Sequence, residues 1–151
     1  MAYSLGRVVK GDVIPDTDDI ARFCRPKQVE GDEVLAAAFL PRSGEDYLSV
    51  NWVEYLGLAT EEAKVGALRA LYRDKFEVGA AARIAILPVG SMRNSVREKS
   101  PDHRVLTASH EPLGAPTPDP SHSGVFNVRH DDELIAELIC QSITQSFPAR
   151  E

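Results

Sequence analysis

The stretch EDYLSVNWVEYLG, Glu45 to Gly57, changes its period partway along. Read as a strand, it puts Leu48, Val50 and Trp52 on one face and Tyr47, Ser49 and Asn51 on the other. From Asn51 onward the pattern is an Asn, a Glu three residues later and Gly57 just past the last apolar pair. Those are the marks of a capping box and a C′ glycine around a very short helix. The expectation is a strand followed by a helical turn, with Asn51 as its cap, accepting a hydrogen bond from a first-turn N–H. Tyr47 and Ser49 are left without a structural task, and they form a candidate ligand or partner face.

Working outward, residues 3–10 suit an extended segment. Pro15 followed by DTDDIARFC reads as a helix start, capped by Asp16 or Thr17, with Asp18 and Asp19 at the positive end of the dipole. Ile20, Phe23 and Cys24 recur at helical spacing, and Pro26 ends the element. EVLAAAFLP, residues 33–41, reads as a buried strand, with a helix as the competing reading. A helix from Thr60 to near Gly79 carries Val65, Leu68, Tyr72 and Phe76 on one side. ARIAILPV, residues 82–89, is a strand, and a helix from Gly90 and Ser91 to Pro101 follows it. Residues 103–109 and GVFNV suggest two more strands, separated by an irregular proline-rich loop at about 111–123. The last helix runs from after Asp131 to before Pro148, with a stripe from Leu134 through Ile143 to Phe147. Together these elements predict a single-domain α+β fold spanning residues 1–151, with a mixed sheet of about five short strands covered by about four helices.

The chain has 151 residues, 43% hydrophobic and 26% charged, close to the average for globular proteins. It shows no apolar run of signal-peptide type and none of membrane-spanning length, so the expected location is the cytoplasm. Cys24 and Cys140 are too few and too far apart for a disulfide framework or zinc ribbon, which leaves reduced, packed thiols. The formal charge of −6 argues against general nucleic-acid or anionic-membrane binding. That charge is uneven: residues 11–62 hold twelve acidic against four basic side chains, and residues 63–110 hold nine basic against four acidic. A positive face is therefore expected from the middle of the chain.

All four histidines, His103, His110, His122 and His130, fall within 28 residues and stand near acidic side chains. Their spacing matches no metal motif, so no metal site is assigned. A metal-free alternative makes His110 or His122 a general base oriented by Asp119, because imidazole titrates near neutrality and one carboxylate fixes its tautomer. No G-x-S-x-G elbow supplies a nucleophile. Separately, a strand, a glycine and a helix start bearing Ser91, Arg93 and Arg97 resemble an anion-binding arrangement, though far short of a phosphate-loop fingerprint.

No complete catalytic constellation and no cofactor fingerprint is present, so no cofactor is expected. The first functional expectation is a non-enzymatic module that docks a protein partner through complementary charge. The alternative is a small hydrolase or group-transfer enzyme built on His110, Asp119 and His122, with phosphate in the substrate if Ser91 and Arg93 contribute.

Overall fold

The computed structural model describes residues 8–151, and most of the expected extended segment at 3–10 lies outside the described residues. The described chain forms a single small α+β fold. Its elements are β1 (Asp19–Cys24), a hairpin of β2 (Val29–Glu30) and β3 (Glu33–Val34), β4 (Leu48–Trp52), α1 (Glu61–Lys75), β5 (Arg83–Pro88), α2 (Val89–Lys99), β6 (Thr107–His110), β7 (His122–Phe126), α3 (Glu133–Cys140) and β8 (Gln145–Pro148). Six strands make the main sheet in the order β6-β7-β4-β1-β5-β8. Every pair in it is antiparallel, so the expected mixed sheet is corrected. The strands also outnumber the five expected, and three α-helices replace four.

Two of the strands, β1 and β8, stand where helix is expected. The segment Asp19–Cys24 lies between β4 and β5 and is buried on both faces: Ile20 and Cys24 pack into one core, Ala21 and Phe23 into the other. A strand covered on both sides loses its polar-apolar alternation. Ile20, Phe23 and Cys24 then imitate a helical stripe by coincidence. The three aspartates expected at a helix start do other work. Asp18 accepts from the Trp52 indole N–H at 2.8 Å, the Asp19 amide donates to Glu54 at 2.8 Å, and Asp16 accepts from Arg93 at 2.8 Å. At the other end of the chain α3 stops at Cys140, and the chain turns through Thr144 to lay β8 along the free edge of β5. Phe147 thereby leaves the expected helical stripe and packs with the α1 side of the sheet.

The expected strand at 33–41 survives only as β3, and Ala36–Phe39 is a 3-10 turn that buries Ala38 and Phe39. Alanine brings little that favours a pleated surface. The helix at Thr60 starts as expected, its hydroxyl accepting from the Ala63 amide at 3.1 Å. It ends at Lys75, short of Gly79.

The two layers over the sheet are unequal in extent. α2, α3 and the Ala36–Phe39 turn cover one face, meeting Ile20, Leu48, Val50, Trp52, Leu87 and Val125. On the opposite face α1 packs Leu68 and Tyr72 on Ala21, Phe23, Ile84 and Ile86, which belong to β1 and β5. The same face of β4 and β7 is not roofed by that helix. There the sheet presents Ser49, Asn51 and His122 beside the C-terminal end of α1. Among the described residues no helix is long and apolar enough to cross a membrane.

Candidate functional site

Strand register decides which residues meet. Asn51 pairs directly with His122 and Ser49 with Gly124, so these four share the open face of the sheet. His110 pairs with Ser123, one residue out of phase, and points to the opposite face. There its ring lies 4.9 Å from Tyr55 and 5.7 Å from Trp52, and its Nδ1 has no hydrogen-bond partner among the described residues. The expected grouping of His110 with His122 is therefore not formed, because adjacent β6 and β7 send the two imidazoles to opposite sides. The remaining histidines stand elsewhere. His103 faces the Arg97 carbonyl at the end of α2, and His130 is exposed in a turn. Among the described residues no three His, Cys, Asp or Glu side chains are grouped as metal ligands.

Asn51 is not a helix cap. It lies inside β4 and is 2% exposed, and the 3-10 turn Glu54–Leu56 that follows has no side-chain cap. Gly57 does end that turn in the left-handed region, at φ 68°. The Asn51 amide nitrogen donates to both carboxylate oxygens of Asp119 at 3.0 Å and to Ser121 Oγ at 2.9 Å. Its carbonyl oxygen accepts from the Tyr72 hydroxyl at 2.8 Å. Asp119 is fully buried, brought inside by a loop that bridges Leu113 to Asp119 through paired backbone hydrogen bonds. It also accepts from Lys75 Nζ at 2.8 Å and from Ser121 Oγ at 3.1 Å. A polar network of five side chains thus ties the end of α1 to β4 and to the loop before β7. Burial raises the Tyr72 pKa, with the Asp119 charge acting in the same direction, so its phenol stays a donor.

The orientation of His122 is set by the backbone rather than by Asp119. Its Nδ1 lies 2.7 Å from the Glu111 carbonyl oxygen, which only accepts, so Nδ1 carries the proton and Nε2 is left as the acceptor in the neutral ring. Burial is the largest influence on His122 and holds its pKa below the ordinary value near 6.5, helped by the charge of Lys75. The result is a neutral imidazole with a fixed tautomer, able to accept a proton or a hydrogen bond. Tyr47 packs as part of the same face: its ring lies over Gly124, 5.9 Å from the His122 ring and 4.9 Å from Phe126. Any Cβ at position 124 would come within 2.5 Å of it.

A cleft of about 350 Å³ opens above this floor. Its walls bring in Arg22, Arg25, Lys27, Arg42 and Lys75, against one lining carboxylate, Glu45. The first four are all of the basic side chains in residues 11–62, the segment that looks acidic when read along the chain. β1 supplies Arg22, the segment before β2 supplies Arg25 and Lys27, and the loop after the Ala36–Phe39 turn supplies Arg42. Arg22 lies deepest: its Nε donates to the Ala38 carbonyl at 2.9 Å and one terminal nitrogen to the Ser49 carbonyl at 2.8 Å. A guanidinium has five N–H donors, and no described carboxylate pairs with this one. Burial pulls its pKa down from the ordinary value, although an arginine keeps its charge in proteins. Arg25, Lys27 and Arg42 likewise have no ion-pair partner among the described residues.

None of the residues expected to bind an anion at α2 lines this cleft, and Arg93 is already engaged. The helix begins at Val89, so Ser91 is inside its first turn instead of capping it. The Val89 and Gly90 amides donate to the Asp18 and Asp16 carbonyls at 2.9 and 3.0 Å. Arg93 is held by the Leu106 carbonyl and Asp16, each at 2.8 Å, and Arg97 stands one turn further along the helix. The chain thus partners this helix start from within.

Sequence reading identified Ser49, Asp119 and His122 as candidates, and all three come together here. It missed Arg22, Arg25, Lys27, Arg42 and Lys75. The available signal was the grouping of Arg22, Arg25 and Lys27 within six residues of an otherwise acidic stretch; Lys75 carried none. No protein-family model matches the chain, no curated protein matches it in sequence, and no solved structure matches it in fold.

Proposed function

We propose that this protein binds a small phosphate-bearing molecule in the basic cleft over β4 and β7. The observation that carries the reading is the convergence of every basic side chain of residues 11–62, together with Lys75, on one concavity in a protein of formal charge −6. Like charges repel when brought together, and a partly buried guanidinium without a carboxylate is unfavourable unless something else neutralises it. An anionic ligand supplies that neutralisation, and the spare donors of Arg22 suit the oxygens of phosphate. The basic groups line a concavity floored by His122 and Asn51, which favours a small ligand over the flat face of a docking partner. His122 Nε2 adds one acceptor for a protonated phosphate oxygen or a ligand hydroxyl.

Calorimetric titration with pyrophosphate tests the reading. Binding is expected, weakening as ionic strength rises because part of the attraction is screened. The double variant Arg25→Ala, Arg42→Ala should bind at least about tenfold more weakly, roughly 1.4 kcal/mol, while melting within a few degrees of the parent. Pyrophosphate that fails to bind, or binds the double variant equally well, would refute the proposal.

A further inference from the structure

The basic cleft continues past its polar floor. Beside the end of α1 it opens into a second, shallower groove of about 560 Å³ that adds Pro26 and Glu77 to five residues shared with the first. Three of the shared residues are cations, Arg25, Lys27 and Lys75, and the other two are Phe23 and Phe76. The phenyl rings stack with centroids 4.7 Å apart and planes 13° from parallel. Phe23 is 8% exposed and serves as backing, whereas Phe76 is half-buried and presents apolar surface to both concavities. Lys75 Nζ lies 5.6 Å from the Phe76 ring centre.

An inorganic anion would use the cations and gain nothing from this wall. We infer that the ligand is a mononucleotide-type molecule, a phosphate ester carrying a flat aromatic ring, with its phosphate at the Arg22 and Arg42 end and its ring against Phe76. The inference rests on the anion-binding reading of the same cleft and adds the identity of the group that bears the phosphate. Stacking on an aromatic side chain is available to any base, because every base has a π face, and a neighbouring cation strengthens it. Gln28 gives the ring a polar contact. Its Oε1 accepts from the Arg25 amide at 2.9 Å, which leaves its NH2 group to donate into the cleft it lines. The two concavities together are ample for a mononucleotide, since sites for ligands of drug-like size occupy about 300–1,000 Å³.

Three titrations at constant ionic strength separate the parts of this inference: pyrophosphate, ribose 5-phosphate, and the four common nucleoside 5′-monophosphates in turn. At least one nucleotide should bind about tenfold or more tightly than ribose 5-phosphate, the gain expected from one stacked base. Phe76→Ala should remove that advantage and leave the ribose 5-phosphate affinity within about twofold of the parent. Phe76→Leu, which keeps apolar bulk, serves the same purpose should the alanine variant fail to fold. If every nucleotide binds no better than ribose 5-phosphate, the ring inference is overturned and the anion cleft stands. A nucleotide preference that survives both Phe76 variants also overturns it, since the ring would then bind elsewhere. If pyrophosphate does not bind the folded parent, the anion-binding reading itself fails.

Discussion

Asn51→Asp tests the polar network directly, because the reading of Asn51 as a cap and the structure predict opposite results. A cap needs only an oxygen, so aspartate would serve as well as asparagine. In the structure the Asn51 amide nitrogen lies 3.0 Å from both oxygens of the fully buried Asp119. Replacing it with a carboxylate oxygen sets two negative groups about 3 Å apart, a repulsion of about 5 kcal/mol at an effective dielectric of about 20. The alternative is to protonate one of them, which at pH 7 costs about 4 kcal/mol for a carboxyl of ordinary pKa. The molecule takes the smaller penalty, and Lys75, 2.8 Å from Asp119, offsets part of it. Asn51→Asp should therefore destabilise by about 3–4 kcal/mol at pH 7 and lower the melting temperature by about 10 °C. The penalty should shrink by about 1.4 kcal/mol for each unit of pH removed towards pH 5, as protonation becomes easier. Asn51→Ser, which loses hydrogen bonds without adding charge, should show no such recovery. Urea denaturation at pH 7, 6 and 5 on the three proteins provides the comparison. An Asn51→Asp protein that melts within about 2 °C of the parent at pH 7, or whose deficit ignores pH, would refute the network account.

Two further outcomes follow from the packing. Burial holds His110 and His122 below the ordinary histidine pKa near 6.5, Asp12 and Glu111 pulling His110 upward, Lys75 pushing His122 down, and Asp119 and Glu111 opposing it. Between 6.5 and the folded values the unfolded chain binds the extra protons. Stability should then be complete above pH 6.5 and fall below it, by up to about 1.4 kcal/mol per pH unit per histidine, and urea midpoints that stay flat from pH 7.5 to 5.5 would contradict this. Gly90→Ala should destabilise by about 1–3 kcal/mol, because its Cβ would meet the Asp16 carbonyl oxygen at 2.9 Å, backbone that cannot swing aside. A thermal melt matching the parent would show that the approach of α2 to the Asp16 turn is looser than described.

Local signals were sufficient wherever an element's own residues decide its conformation. The alternation Leu48-Val50-Trp52 gave β4, Thr60 marked the start of α1 through its hydroxyl, and the apolar run after Ala82 gave β5. Each depends on side-chain period or a hydrogen bond between residues three apart. Asp19–Cys24 and Gln145–Pro148 were not legible in this way, because their strand state depends on hydrogen bonds to partners thirty or more residues distant, such as Ala21 opposite Asn51 and Ile86, and Phe147 opposite Ile84. The candidate site divides along the same line. Ser49, Asp119 and His122 could be chosen one by one for their chemistry, but whether His110 joined them depended on a one-residue phase between β6 and β7. The charge of the cleft was hidden more completely. Along the chain Arg22, Arg25, Lys27 and Arg42 are outnumbered by acidic neighbours, and only the fold brings the four cations to one opening that a single one of those neighbours, Glu45, also lines. Sequence adjacency sums charge over a segment, whereas a ligand responds to the charges within a few ångströms, and tertiary structure alone decides which those are.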